Sequence, residues 1–215
     1  SEATPMFSLS WDANDSSMAY FTYSEGYRDG GYPARFTGAV PNPLPTYDPE
    51  YVKNYELGYK TTFANGRARA NLALFQMDYE DMQISATSNL PGVGDNTSKA
   101  NLGSATISGF ELELTALVGD NLRLGLNLGV LDDEIDSFKG TLVSSGITLS
   151  KSNDLPFTPD YTVALTAAYD IPLENGAGIT LRADYSMKDD YYSRTENIPE
   201  VLEKDHRILN VSARY

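Results

Sequence analysis

The segment ISGFELELTALVGDNLRLGLNLGV, residues 107–130, alternates apolar and other side chains with a period of two. One apolar run occupies every second position from Phe110 to Ala116, and another does so from Leu122 to Val130. Period two is typical of β-strands, because successive side chains of a strand point to opposite faces. A three-residue loop with a glycine bulge between the runs would place both leucine faces on one side. The segment therefore predicts a β-hairpin with one apolar face.

The same alternation recurs along the chain and predicts nine strands. Most of them are ten residues or longer, whereas strands of globular proteins cluster near five or six residues. Short connections rich in Asn, Asp and Gly alternate with long polar ones near residues 28–49, 87–103, 135–156 and 192–204. The fold class predicted is all-β, an antiparallel up-and-down meander of long strands. The predicted strands are 5–12, 17–27, 50–63, 67–86, 104–118, 121–134, 157–171, 178–191 and 205–215.

A tight turn at Asn65 and Gly66 fixes the register of one predicted hairpin. A two-residue type I′ loop at this point brings apolar residues of the flanking strands opposite one another. The predicted pairs are Phe63 with Ala68, Tyr59 with Leu72 and Leu57 with Leu74. The apolar positions shift by one residue after Leu74, beginning with Phe75, and this shift predicts a β-bulge.

The spacing of aromatic residues along the strands helps to decide whether the apolar faces contact lipid or a second sheet. Tyr55 and Phe63 lie eight residues apart on one apolar face, as do Tyr161 and Tyr169. Eight residues span roughly 26 Å along a strand, or about 20 Å across a membrane after tilting. An outer-membrane barrel has an apolar band of roughly 25 Å between two aromatic girdles, so the spacing favours lipid. The predicted girdles are Trp11, Phe63, Tyr169 and Tyr215 at the short-turn end, and Tyr23, Tyr51, Tyr55, Tyr79, Tyr161 and Tyr185 at the long-loop end.

Composition excludes several classes of function. The 30 acidic and 16 basic residues give a net charge of −14, which argues against a nucleic-acid partner. Without cysteine there is no disulfide, thiolate metal site or cysteine nucleophile. The single histidine, His206, excludes a histidine-rich metal centre, and we expect no cofactor. No apolar run is long enough for a transmembrane helix, and the N-terminal residues lack the features of a signal peptide.

Five segments, in order, resemble landmarks of the TonB-dependent outer-membrane receptors. YFTYSEGYRDGGY (20–32) resembles an aromatic strand that leads into a long surface loop of that family. YDPEYVKNYELGYKTTF (47–63) is the closest match. Its matching positions are Glu50, Asn54, Glu56, Gly58 and Lys60. ANLALFQMDYEDMQI, NLGSATISGFELEL and LPFTPDYT resemble the next landmarks, so the resemblance covers nearly the whole chain.

The resemblance implies a siderophore-receptor-like transporter, not an enzyme, in the outer membrane of a Gram-negative bacterium. Such receptors are 22-stranded barrels closed by an N-terminal plug. The implied partners are outer-membrane lipid, a small-molecule nutrient such as a ferric siderophore, and the TonB complex through an N-terminal region. Residues 1–215 would be a partial barrel domain of about nine strands from its C-terminal part, without the plug.

Two groups of residues are candidates for function. The long loop near residues 28–49 is the expected recognition element, because binding residues concentrate on loops carried by a rigid scaffold. Its arginines and tyrosines suit an anionic catecholate-like or carboxylate ligand. The candidate ligand-binding residues are Tyr27, Arg28, Tyr32, Arg35, Phe36 and Tyr47. The expected lumen-facing residues are Glu56, Lys60, Glu111, Glu113, Arg123 and Arg182.

The sequence does not support a catalytic carboxylate pair or a calcium site. Glu111 and Glu113 are spaced like a glycosidase carboxylate pair, but they lie mid-strand in the expected lumen. The acidic segment 132–136 fits a solvated rim better than a calcium loop. Two other classes remain open at this point. One is a small complete outer-membrane barrel with an adhesin or structural role, and the other is a soluble glycan-binding β-sandwich.

Overall fold

The computed structural model describes residues 2–32, 46–90, 94–140, 143–144 and 146–215. Nine strands of the described chain form one antiparallel sheet, and three small hairpins lie at its long-loop end. The strands of the sheet are β1 (Met6–Asn14), β2 (Ser17–Arg28), β3 (Glu50–Phe63), β4 (Ala68–Glu80), β7 (Gly103–Val118), β8 (Leu122–Phe138), β11 (Tyr161–Pro172), β12 (Gly178–Lys188) and β15 (His206–Arg214). The hairpins are β5 (Gln83–Leu90) with β6 (Gly94–Asn101), β9 (Val143–Ser144) with β10 (Ile147–Thr148), and β13 (Tyr191–Tyr192) with β14 (Leu202–Glu203).

The sheet is the up-and-down meander that the sequence predicts. Its strand order is β1-β2-β3-β4-β7-β8-β11-β12-β15, so every strand pairs with the next long strand along the chain. Short connections at one end alternate with long ones at the other. One 3-10 helix, Pro199–Val201, lies in the last long connection. Among the described residues, no helix has the length and apolarity needed to cross a membrane.

Cross-strand pairing confirms the predicted hairpin registers. Phe63 pairs with Ala68 and Leu57 with Leu74, although the connection covers residues 64–67 rather than two. Ala64, Asn65 and Gly66 all have positive φ there. The three-residue loop 119–121 is confirmed by the pairing of Val118 with Leu122, and Gly119 has a φ of 59°. The register therefore keeps both leucine runs on one face, here named the outer face; the opposite face, with Glu111 and Arg123, is the inner face.

The predicted bulge in β4 is wrong. From Ala68 to its long-loop end, β4 pairs with β3 and with β7 without a register shift. Phe75, Met77 and Tyr79 instead lie on the inner face, where Met77 and Tyr79 pack against a buried apolar cluster. The apolar positions change phase because the inner face becomes apolar near the long loops. For the same reason Tyr79 does not belong to the outer aromatic girdle in which the sequence placed it.

The apolar core lies on the inner face at the long-loop end. Strand residues of β7 and β8 supply its floor, and residues of the long connections cover it. The buried members are Ile84, Leu102, Ala105, Ile107, Ile135, Leu149 and Leu155. Leu102, Ala105 and Ile135 have no exposed surface, whereas outer-face residues such as Leu57 remain 54% exposed. The chain therefore buries its loops against the inner face and leaves the leucine face uncovered.

The long connection after β4 contains a hairpin that the sequence analysis missed. The prediction ended β4 at residue 86 and left residues 87–103 as a loop, but β4 ends at Glu80 and β5 pairs with β6 along eight residues. Asp81, with a φ of 53°, separates the two elements. The hairpin is rich in Ser, Thr and Asn, so the apolar alternation that identified the other strands is absent from it.

Aromatic residues on the outer face lie at both ends of the strands. Trp11, Phe63, Tyr169 and Tyr215 are exposed near the short turns. At the other end the rings of Tyr23 and Tyr55 lie 5.2 Å apart between centroids, in a tilted arrangement. A comparable pair, Tyr27 with Tyr51, lies nearer the loop with centroids 5.3 Å apart. Apart from Tyr79, the predicted girdle residues are thus on the expected face.

Tyr20 lies across Gly58 on the inner face. Its hydroxyl donates a hydrogen bond of 2.6 Å to Glu56, and the Lys60 ammonium lies 5.3 Å from its ring centroid. A Cβ added to Gly58 would be 2.0 Å from a ring carbon of Tyr20. The glycine therefore provides the space that the ring occupies in β3, where any other residue would displace it.

We predict that Gly58→Ala destabilises the sheet, because the methyl group and the Tyr20 ring cannot share this space. Overpacking of this kind costs about 1–3 kcal/mol. The free energy of unfolding measured with denaturant gives the cost. Gly125→Ala is the matched control, since its nearest neighbour would be Thr166 Cβ at an ordinary 3.6 Å. An equal cost for Gly58→Ala in a Tyr20→Ala background would contradict the explanation.

Candidate functional site: the inner face and its rim

All six residues predicted to face the lumen lie on the inner face. Several of them are linked by cross-strand pairing through a residue of the strand between them. Lys60 pairs with Asn71, which pairs with Glu113. Arg123 pairs with Ala168, which pairs with Arg182. Glu56 and Glu111 follow the same alternation. The structure thus collects them on one surface, although it spreads them over four strands, β3, β7, β8 and β12, rather than around one point.

Neighbouring side chains hold several of these charges in place. Glu113 accepts a hydrogen bond of 2.7 Å from the Asn71 side chain, and Glu56 accepts the one from Tyr20. Neither Asn71 nor Tyr20 was singled out from the sequence. Both could have been found from the cross-strand register, which places them beside the two glutamates. These contacts describe a hydrogen-bonded wall rather than a pair of carboxylates placed around a substrate.

Arginine is concentrated near the short-turn end of the inner face. The Arg123 guanidinium contacts Asp170 at 2.5 Å, and Arg182 donates two hydrogen bonds, of 2.6 and 2.7 Å, to Asp184. A cavity of about 960 Å³ opens among these residues, and Arg67 and Arg214 also line it. The wall is polar enough to face water or a polar partner, in contrast to the outer face.

The predicted loop residues separate into two groups. Tyr27 lies on the outer face beside Tyr51, whereas Arg28 ends β2 on the inner side and is exposed. Gly31 and Tyr47 exchange two backbone hydrogen bonds of 2.9 Å and so close the base of the loop. Tyr32, which follows this bridge, is 62% exposed. Arg35 and Phe36 lie outside the described residues.

Lys99 on β6 is a further cation, and its charge interacts with that of Arg28. Burial lowers the pKa of Lys99, and the positive charge of Arg28 lowers it further, while Glu50 has the opposite effect. This interaction is not predictable from the sequence, because the hairpin that carries Lys99 shows no apolar alternation. Two cations whose charges interact, at the base of an exposed loop, form a suitable place for an anionic group.

A polar clamp joins the loop after β2, the hairpin β5–β6 and the end of β8. Lys139 donates hydrogen bonds of 2.7 Å to Asp48 and 2.9 Å to Asp81. The Asn101 side-chain amide accepts a hydrogen bond from the Asp48 backbone N–H and donates to the Asp48 and Asp81 carbonyl oxygens. The Gln83 side chain donates hydrogen bonds to the carbonyl oxygens of Asp29 and Asp48, which both lie in the loop after β2. The bases of three connections are therefore fixed to one another.

No metal centre accompanies these polar groups in the part of the chain that the structure describes. There, no three or more His, Cys, Asp or Glu side chains are grouped so that they could hold an ion. Two acidic residues of the segment 132–136, Asp133 and Asp136, make separate contacts. Thr106, for example, donates to Asp136, and the Leu155 amide donates to Asp133.

Comparisons with known proteins agree with this architecture. The chain matches the family described as TonB dependent receptor-like, beta-barrel, over residues 1–215. It is 29% identical to the ferric-pyoverdine 358 receptor of Pseudomonas putida over 115 residues, 54% of this chain and 13% of that protein. The crystal structure of the ferric yersiniabactin uptake receptor FyuA from Yersinia pestis superposes with a TM-score of 0.74 at 20% identity, covering 98% of this chain and 29% of that one. The siderophore receptor PiuA from Acinetobacter baumannii gives 0.70 at 19% identity, covering 99% and 29%.

A meander of long antiparallel strands with one apolar and one charged face is the arrangement found in the wall of an outer-membrane β-barrel. The chain belongs to the TonB-dependent receptor-like β-barrel family. It spans less than a third of the length of the relatives described above. The match favours a receptor over a small complete adhesin barrel and over a soluble glycan-binding sandwich.

We predict that Lys139→Met loosens the loop bases without unfolding the sheet. The Asp48 and Asp81 carboxylates raise the pKa of Lys139, so its contribution is present at neutral pH and is lost as pH rises through that pKa. Hydrogen exchange at the Asp48 and Asn101 amides should become faster. Lys53→Met, which breaks an exposed ion pair with Glu80, should leave those amides unchanged. Equal exchange in all three proteins would show that the clamp has no such role.

Proposed function

We propose that this chain forms part of the barrel wall of a receptor that imports a ferric siderophore or a similar nutrient across the outer membrane. The separation of the two faces of the sheet is the observation that carries the proposal. The outer face presents exposed leucines between two aromatic rows, and the inner face carries ionised residues and the loop core. Lipid on one side and a polar interior on the other account for both.

The rest of the receptor belongs to the same proposal. Residues 1–215 supply nine of the expected 22 strands, and a plug domain and the remaining strands complete the barrel. The arginine-lined cavity at the short-turn end suits a polar domain inside the barrel rather than lipid. Transport then depends on the TonB complex, which acts outside the residues described here. The proposal includes no enzymatic step and no cofactor.

Ligand recognition is assigned to the rim at the long-loop end. Arg28 and Lys99 supply two cations whose charges interact, and Tyr32 and Tyr47 lie at the base of the same loop. Charge-assisted hydrogen bonds to an anionic ligand are stronger than neutral ones, so the two cations are suited to catecholate or carboxylate groups. Arg35 and Phe36 remain predicted contributors from the same loop. The solved structures that resemble this chain include a ferric yersiniabactin uptake receptor and a siderophore receptor, which supports the choice of ligand.

The proposal predicts a defect in iron uptake when the gene is deleted. A deletion strain supplied with single ferric siderophores as radioactive iron complexes should lose uptake of at least one. The intact gene should restore uptake, but only in cells that contain TonB. Unchanged uptake of every ferric siderophore tested, or restoration without TonB, would contradict the proposal.

Variants of the rim cations test the recognition site. Replacing Arg28 and Lys99 together by Gln should weaken ligand binding by about tenfold or more, because each charge-assisted hydrogen bond contributes about 1.5–3 kcal/mol. Titration of the whole receptor with the imported siderophore measures the change. Lys53→Gln is the matched control, since Lys53 lies on the outer face and pairs with Glu80. An equal loss in the control would remove the assignment.

A further inference from the structure

The connection before β11 makes a sharp turn at Pro156 and Phe157. Phe157 has a φ of 66°. A proline followed by a residue with positive φ is the pattern of a type II turn, whose second central position normally holds Gly or Asn. The Thr158 hydroxyl closes the turn with a hydrogen bond of 2.6 Å to the Leu155 carbonyl oxygen. A bulky aromatic residue in this conformation is strained, and strain of this kind concentrates at functional sites.

Burial of the Phe157 ring does not explain the strain. The residue is 64% exposed, whereas Leu155, two positions earlier, is 1% exposed in the apolar core. The backbone on either side is fixed. The Leu155 amide donates 2.6 Å to Asp133, and the Phe157 amide donates 2.8 Å to the Tyr192 carbonyl oxygen. The surrounding structure therefore holds the ring out toward solvent.

A second aromatic ring and a cation accompany Phe157. The centroid of the Tyr191 ring lies 5.9 Å from that of Phe157, and the two rings are tilted by 43°. The Lys188 ammonium lies over the Tyr191 ring, 3.8 Å from its centroid. Lys188 also lines an inner-face cavity together with His206. The pair Phe157 and Tyr191, here called the rim shelf, thus adjoins the inner side of the long-loop end.

Acidic residues adjoin both parts of the rim shelf, since Asp133 accepts a hydrogen bond from the Leu155 amide, two residues before Phe157, and two aspartates adjoin Tyr191. Asp189 and Asp190 directly precede Tyr191 in the sequence. Burial raises the pKa of Asp160, and the negative charges of Asp189, Asp133 and Asp190 raise it further. Lys188 offsets only part of this charge and already contacts the Tyr191 ring. A ring with a negative charge would therefore be repelled from the shelf, whereas a neutral or cationic ring would not.

We propose that the rim shelf binds a flat aromatic ring without negative charge, as one part of the imported ligand. The inference rests on the proposed function, because it treats the long-loop end as the ligand-facing end. Aromatic rings pack well at tilted or offset geometries, and the solvent-held face of Phe157 is available for such a contact. Arg28 and Lys99 remain the partners for an anionic part of the ligand.

Two probes of similar shape and opposite charge test the proposal on the whole purified receptor. N-methylquinolinium is a cationic bicyclic ring, and 2-naphthoate is an anionic one. Saturation-transfer NMR titrations should show tighter binding of N-methylquinolinium. Phe157→Leu should weaken that binding roughly three- to tenfold, the range expected for one aromatic pair. The control Phe63→Leu, at the short-turn end, should bind like the wild type.

Phe157→Gly distinguishes recognition from a structural role. Glycine adopts positive φ without strain, so the melting temperature should stay the same or rise while ring binding is lost. A lower melting temperature would show that the ring serves packing and would overturn the proposal. Unchanged N-methylquinolinium binding in Phe157→Leu, or tighter binding of 2-naphthoate by the wild type, would also overturn it. Iron uptake measured in the same strains shows separately whether the proposed transport function stands.

Discussion

The structure depends on a register that is maintained across nine antiparallel strands. Side chains alternate with a period of two, so a slip of one residue in any strand would move its leucines to the inner face. From β2 to β4 and from β8 to β15 the pairing proceeds without a shift. The described shifts are confined to the ends of β1 and of the β7–β8 pair. This continuity separates an apolar face from a charged one.

The arrangement of the long connections depends on the inner face of the sheet. Above the charged wall that face becomes apolar, through residues such as Met77, Ile107 and Ile135, and the long connections cover it. Loops anchored in this way can hold polar contacts in fixed positions. The clamp at Lys139 joins three loop bases, and the turn at Phe157 is held between a buried leucine and the β13–β14 hairpin. Side chains on these loops are therefore carried by a packed base.

Much of this fold is predictable from the sequence, because one physical signal, alternation, governs the strands. It correctly gives the nine strands, the pairing of Leu57 with Leu74 and the loop at Gly119. The same signal fails where the environment changes. The phase shift at Phe75 marks an apolar inner face and not a bulge, and the polar hairpin β5–β6 carries no alternation at all.

The site is less predictable than the fold. Alternation alone assigns Glu56, Lys60, Glu111, Glu113, Arg123 and Arg182 to the inner face. It cannot give the contacts that depend on long-range geometry, such as Tyr20 over Gly58 or Asn71 with Glu113. Those contacts join residues of different strands, and the partner of each is known only when the register and the loop paths are known.

The central claim is that the outer face meets lipid. The chain contains no cysteine, so single cysteines at six successive positions of β8, residues 124–129, can carry spin labels in the whole receptor, with any cysteines elsewhere replaced. In lipid bilayers, accessibility to dissolved oxygen should be high at positions 124, 126 and 128 and low at 125, 127 and 129. Oxygen accessibility without this alternation, or with the opposite phase, would contradict the account.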